Sequence, residues 1–332
     1  MRRRRRADAP TVTTSGSDDY ATFRRELRRA ALKLRRPLPW IGHPDPWAIL
    51  VSEIMLQQTQ VPRVLVPWAQ FLERFASPTA CADAPLSSVV RLWAGLGYHR
   101  RAKALHDTAR MIRDEYGGTL PREVAELRRL PGVGEYTANA VASFAYGQPV
   151  AVVDTNVGRI LARALANRRL RTTEARDLAQ ELLPRRASAA FNQAMLDLGA
   201  QFCKSVPLCA QCPVAAACRW RVEGGPDPAP RSAGVSRPQS TFEGSDRQLR
   251  GRVLEALRHC AYSTDQLFVL IGEANPLRGH AIVNGLIRDG LVEQRGRAVR
   301  LAGHDVAVKR PGTTRTLDLG AATDITAGGD DR

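Results

Sequence analysis

The chain has 332 residues, 44% of them hydrophobic and 25% charged, which allows two domains and a sizeable core. No apolar stretch reaches the ~18–20 residues of a membrane span, and Met1-Arg2-Arg3-Arg4-Arg5-Arg6 is not followed by an apolar run, so membrane and secreted readings are set aside. The formal net charge of +16 implies a polyanionic partner, most often nucleic acid.

Residues 1–17 read as a disordered basic tail. Asp18 or Asp19 then caps a helix on which Tyr20, Phe23, Leu27, Ala31 and Leu34 share one apolar face. Asp45-Pro46 starts a second helix and Pro62 a third. Gly95, Gly97, Gly117-Gly118 and Gly147 stand where helices end. Alternating β-branched runs are nearly absent up to residue 220, so residues 18–220 are predicted to be all-α. Residues 221–245, with four prolines in a mostly polar stretch, read as a linker. Beyond it, helices at Arg247–His259, Asp265–Ile271 and Ala281–Asp289 and a β-hairpin around Gly296 suggest a small winged-helix-like module over 246–304, with a flexible tail at 305–332. In that module Arg288, Arg295, Arg297 and Arg300 either bind phosphates or solvate the hairpin.

Four features carry chemistry. Cys203, Cys209, Cys212 and Cys218 crowd together with spacing C-x5-C-x2-C-x5-C, which favours an iron–sulfur cluster over structural zinc or free thiols in a reducing cytosol. Zinc sites more often pair two C-x2-C knuckles, and one is present here. Cys81 and Cys260 stand apart and read as core residues. Leu130-Pro-Gly-Val-Gly134 is a tight turn before a helix. It either presents the amides of Gly132, Val133 and Gly134 to a DNA phosphate or simply connects two helices. Asp154 follows apolar Val152-Val153 and caps the next helix, with or without a second role facing DNA. Glu53 interrupts an apolar helix, so it is either exposed or buried for a purpose. The Gln57-Gln58-Thr59-Gln60 stretch after it suits hydrogen bonding to base edges.

In this order, with Leu38-Pro39-Trp40, Gly95-Leu-Gly-Tyr98 and Phe191-Asn-Gln-Ala-Met-Leu-Asp-Leu-Gly199, these motifs resemble the helix-hairpin-helix DNA glycosylase superfamily. More narrowly they resemble its A/G-mismatch adenine glycosylase (MutY-type) branch, over roughly residues 20–220. The resemblance implies an all-α helix-hairpin-helix glycosylase fold with a [4Fe–4S] cluster held by the four clustered cysteines. It also implies a bacterial cytoplasmic, nucleoid-associated monomer that flips adenine from A:8-oxoguanine or A:G mispairs in double-stranded DNA. Glu53 matches the general acid, Asp154 the carboxylate that stabilises the sugar cation, and Tyr136 and Asn156 their support. Arg35, Trp40 and Gln193 match the adenine pocket, and Gln58, Thr59, Leu96 and Tyr98 the residues that probe or wedge beside the opposite base. Lyase-competent relatives carry lysine where Tyr136 stands, and the chain's only lysines are Lys33, Lys103, Lys204 and Lys309, so base release without strand cleavage is expected. Five residues separate the first two cysteines, where the family usually has six. The Phe-Ser-His loop of the family's C-terminal Nudix-like domain has no counterpart. A thymine or pyrimidine-lesion glycosylase and a non-catalytic iron–sulfur DNA-binding protein are the alternatives.

Overall fold

The computed structural model describes residues 15–232 and 241–303, with side chains from residue 18. Most of the expected tails therefore lie outside the described residues. The first helix runs Ser15–Leu34, so it begins three residues before the expected cap and takes in the end of the predicted tail. Up to residue 261 the described residues contain helices and turns without a strand.

The helices form two lobes, each around its own core. In the first, Phe23, Leu27 and Leu34 of the opening helix meet Ile160, Leu178 and Met195. The apolar stripe drives this packing, and Arg24 clamps its edge by donating to the terminal carbonyls of Leu182 (2.8 Å) and Glu181 (2.7 Å). After Thr155–Ile160 the chain continues as a π-turn, Leu161–Ala166, which carries the almost fully buried Arg163. Nothing in the local sequence signals that wider turn.

The second lobe is built on the helix Pro46–Leu56, capped by Asp45, whose carboxylate accepts from the Trp47 amide at 2.9 Å. Nine consecutive residues, Trp47–Met55, are buried, because the helix is surrounded on every side. The indoles of Trp47 and Trp68 bury their N–H groups on the carbonyls of Phe75 and Ala48. Glu135–Tyr146 packs beside this helix and ends, as predicted, on Gly147 in a left-handed conformation.

The stretch read as a linker is partly integrated. Arg219–Glu223 is helical, Asp227 pairs with Arg163 at 2.6 Å, Ala229 is buried, and the Ser232 hydroxyl accepts from the Leu170 amide at 3.0 Å. Low apolar content concealed this, because these ties are polar.

The C-terminal unit has helices Asp246–Ala256, Thr264–Ile271 and Pro276–Arg288, the last capped by Asn275 and starting five residues before its expected start at Ala281. Its antiparallel sheet has the order β1 (Tyr262–Ser263), β3 (Ala298–Leu301), β2 (Val292–Arg295). The β2–β3 hairpin turns at Gly296, as expected. β1 was not expected, since two residues cannot show alternation. Leu249, Val253, Leu286 and Val299 share a core with the second lobe. Arg91 reaches the Arg258 carbonyl at 2.8 Å, and Arg100 pairs with Asp289 at 2.7 Å. Cys260 is exposed rather than in the core; Cys81 is buried. On the hairpin, Arg300 and Arg295 both lie against Glu293.

Candidate active site

A cavity of about 940 Å³ opens between the lobes and draws its walls from both. Glu53 enters from Pro46–Leu56, Tyr136 from the first turn of Glu135–Tyr146, and Asp154 and Asn156 from the start of Thr155–Ile160. Residues more than 100 positions apart thus converge on one space.

Glu53 is only 6% exposed. Burial lifts its carboxyl from the ordinary 4.5 to about 7; the nearby Asp154 charge adds to this, and a hydrogen bond from the Tyr136 hydroxyl opposes it. At neutral pH the group is therefore poised between donor and carboxylate. Asp154 is also raised above the usual aspartate range by burial, against an N–H bond from Val157 (2.7 Å), the Asn156 amide (2.8 Å) and the Arg159 charge. Burial and the two carboxylates push the Tyr136 phenol well above its usual range, which keeps it a hydrogen-bond donor.

Behind Asp154 lies a polar chain that the sequence did not disclose. Asn156 accepts from Arg159 at 2.6 Å, and Arg159 also donates to the carbonyls of Cys203 (2.7 Å) and Gly199 (3.3 Å). Close approach here depends on Gly199. A Cβ on Gly199 would lie 2.5 Å from the Cβ of Asn156 and 3.0 Å from its backbone C and O. Gly199→Ala is expected to cost roughly 1–3 kcal/mol through overpacking and to slow the chemistry of the Asp154 side, as thermal unfolding and single-turnover rates would show.

The opposite wall holds Arg35, Arg36, Trp40 and Gln193. Trp40 packs edge-on against Trp68, with ring centres 5.7 Å apart. Arg36 donates to Asp197 at 2.6 Å, and Gln193 donates to the same oxygen at 3.0 Å. The other oxygen of Asp197, a residue 1% exposed, has no hydrogen-bond partner. Arg36 and Asp197 were missed, although Asp197 interrupts an apolar helical run as Glu53 does.

At the mouth, Arg101 is the organiser. It caps the helix end by donating to the carbonyls of Ile54 (3.0 Å) and Met55 (2.8 Å), and it reaches Thr59, Leu96 and Gly97. Gln57 braces the hairpin, bonding the Gly132 carbonyl (3.3 Å) and Thr137 (3.2 Å). Gln58 (φ +58°) and Tyr98 (φ +49°) both occupy the left-handed region that favours glycine. Leu96, expected as a wedge, is 2% exposed and held in the core, so Tyr98 is the accessible side chain of that turn. Gly132 (φ +75°) turns the hairpin, Val133 is buried, and Gly134 caps the following helix without any side-chain cap.

Cys203, Cys209, Cys212 and Cys218 all border a second, small apolar cavity walled by Ile160, Leu198 and Val214. Arg163 donates to the Cys203 sulfur at 3.4 Å and to the carbonyls of Lys204 (2.7 Å) and Ser205 (3.1 Å). Among the described residues no group of three or more His, Cys, Asp or Glu side chains is placed so that it could hold a metal ion.

Comparison with known proteins bears on this geometry directly. Residues 51–185 match the HhH-GPD superfamily of base excision DNA repair proteins. The chain is 41% identical over 267 residues to the adenine DNA glycosylase of Mycolicibacterium smegmatis, covering 78% of this chain and 89% of that one. The chain belongs to the adenine DNA glycosylase family. The adenine DNA glycosylase of Mycobacterium tuberculosis is 46% identical over 231 residues, which cover 67% of this chain and 74% of that relative. Among solved structures, a thermostable thymine-DNA glycosylase superposes with a TM-score of 0.57 at 27% identity, covering 62% of this chain and 98% of its own. A trapped endonuclease III–DNA covalent intermediate gives 0.55 at 25% identity, covering 64% and 99%. The helix-hairpin-helix glycosylase fold is thus shared with relatives that differ in substrate, and among these the adenine DNA glycosylase family is the one whose sequence this chain follows. Among the described residues no helix is long and apolar enough to cross a membrane.

Proposed function

We propose that this chain is a monofunctional DNA glycosylase that hydrolyses the N-glycosidic bond of adenine paired with 8-oxoguanine or guanine in double-stranded DNA, as a monomer of the bacterial nucleoid. The carrying observation is that Glu53, hydrogen-bonded to Tyr136 and close enough to Asp154 to feel its charge, lines one cavity with both. Two carboxyl groups of unlike environment are what cleavage of a glycosidic bond needs.

The duplex lies across the cavity mouth, its backbone held at the Gly132-Val133-Gly134 turn, where the Val133 amide is already bonded to the Leu130 carbonyl at 3.1 Å, and at the helix start that has no side-chain cap. Adenine enters the cavity, at an unstacking cost of a few kcal/mol, and is held by Arg35, Trp40 and Gln193. Glu53, protonated near neutrality, donates its proton to N7, so that the base departs neutral. Asp154, as carboxylate, stabilises the cationic sugar until water adds and gives up its proton to the Glu53 carboxylate. Tyr136 keeps Glu53 oriented, and Asn156 keeps Asp154 oriented. None of the cavity-lining residues is a lysine, which supports hydrolysis without a Schiff base.

Four thiols around one apolar cavity, with an arginine donating to one sulfur, suit a [4Fe–4S] cluster better than a single ion. Once bound, it would cross-link residues 203–218 and hold the Cys203 carbonyl that receives Arg159. The helix–strand–helix–helix–hairpin order after residue 245 supports a winged-helix-like C-terminal module.

Single-turnover assays on labelled duplexes carrying A opposite 8-oxoguanine, guanine or cytosine, and T opposite guanine, test the reading. Breakage of the A strand only after alkali is the expected result. Breakage without alkali would remove the monofunctional assignment, and action on T:G alone would reassign the substrate.

A further inference from the structure

Resting on the glycosylase reading above, we propose that Asp197 sets the base preference of the cavity by fixing which way the Gln193 amide faces. The two residues stand four apart on the helix Ser188–Gln201, so they share one face of it, and both line the cavity. Gln193 donates to Oδ1 of Asp197 at 3.0 Å, and Arg36, from the segment after Ser15–Leu34, donates its Nε to the same oxygen at 2.6 Å. Asp197 itself is enclosed, with 1% of its surface exposed.

The pattern is not that of an ion pair serving packing alone. Such a pair sets the planar fork of arginine against both carboxylate oxygens. Here Arg36 meets one oxygen through one nitrogen, and Oδ2 has no hydrogen-bond partner among the described residues. The second donor on Oδ1 is the Gln193 amide instead. A carboxylate accepts and never donates, so Gln193 has to turn its NH2 toward Asp197 and its Oε1 away. Among the described residues that Oε1 receives no hydrogen bond, and it is left as an acceptor on the cavity wall.

An acceptor fixed in that direction suits an amine. Adenine carries two hydrogens on its exocyclic nitrogen, one on the N7 side and one on the N1 side. With Glu53 at N7, the second hydrogen is left for the wall that holds Gln193, and Oε1 accepts it. In hypoxanthine an oxygen replaces this amine, so Oε1 would meet a carbonyl, two acceptors with no hydrogen between them. A free amide would turn over and donate to that carbonyl. One pinned by Asp197 cannot do so without giving up its bond to the carboxylate. Asp197 thus acts through Gln193 without touching the base, as a positioning residue, and makes the cavity select an amine over a carbonyl at that point.

The test is single-turnover release of adenine, hypoxanthine and unsubstituted purine, each opposite 8-oxoguanine in one duplex, by the full chain, Asp197→Ala and Asp197→Asn. The wild type is expected to release adenine fastest and hypoxanthine slowest. In Asp197→Ala the amide is free to turn, so hypoxanthine release should rise and the adenine-to-hypoxanthine ratio fall about ten-fold. A gain for the poorer substrate cannot come from damage to the fold. Asp197→Asn keeps an oxygen between the same two donors and should hold the ratio within about three-fold of the wild type. Should Asp197→Ala fail to fold, Gln193→Leu removes the acceptor and should cut adenine's advantage over unsubstituted purine about ten-fold. An advantage fully retained there overturns the inference. So does an unchanged ratio in Asp197→Ala, or an equal slowing of all three bases, the mark of a structural role. A wild-type chain that releases none of the bases would sink the glycosylase reading itself, and this inference with it.

Discussion

Glu53→Gln is expected to lower adenine release by about 10²–10⁴-fold while making the protein more stable above neutral pH. The two effects share a cause. Enclosure in the cavity wall raises the carboxyl from 4.5 to about 7, so the folded protein holds a proton that the unfolded chain has already released. Wild-type stability should therefore fall as pH rises from about 4.5 to 7, then level off once both states are ionised. The raised value corresponds to a loss on the order of 3 kcal/mol across that window. Glutamine has no proton to lose, so the gap between variant and wild type should open over the same range and persist at pH 8. Urea titrations at pH 5 and pH 8 read the stability difference directly. Single-turnover rates of the wild type should decline as pH rises through about 7, with the loss of the proton donor. A variant that retained rates within ten-fold of wild type, or showed equal stability at both pH values, would remove Glu53 from the acid role.

Much of this arrangement could be read from the chain, for identifiable physical reasons. Glu53 stood out because it interrupts an apolar helical stretch, and the structure buries it with the other eight residues of Trp47–Met55. Asp45, Pro46, Gly117 and Gly147 punctuate helices through backbone geometry that is local, and they fall where expected. The long-range features were hidden. Arg101 organises the cavity mouth through backbone carbonyls, which have no sequence signature. Leu96 is one residue from an exposed position, and only the turn's left-handed bends decide that it faces the core while Tyr98 faces out. No local packing explains Gln57, because its partners, Gly132 and Thr137, lie 75 and 80 residues away. The buried Arg36–Asp197 pair was equally non-local, since Arg36 sits in a run of charged residues that reads as a solvated end of a helix.

Asp154→Asn is the substitution that separates the second carboxylate's two duties. As a helix cap, Asp154 accepts from the Val157 amide, and asparagine caps about as well as aspartate. The cap should therefore survive, and the loss of the second acceptor, which Asn156 uses at 2.8 Å, is set against relief of the burial that raises the aspartate above its usual range, so stability should fall little. As the group facing the sugar, it has no substitute. A neutral amide cannot offset developing positive charge, nor add to the anomeric carbon, and electrostatic groups of this kind are worth about 10²–10³-fold each. Affinity for a mispaired duplex should stay near that of the wild type, since the hairpin amides and the arginine surface are untouched. Asp154→Ala would lose about 1 kcal/mol of capping in addition, so comparing the two variants isolates the structural share. Binding isotherms, thermal unfolding and single-turnover rates measured together give the decision. If Asp154→Asn lost stability as much as activity, the carboxylate would be only a cap; if the rate alone collapsed, the charge acts on the reacting sugar.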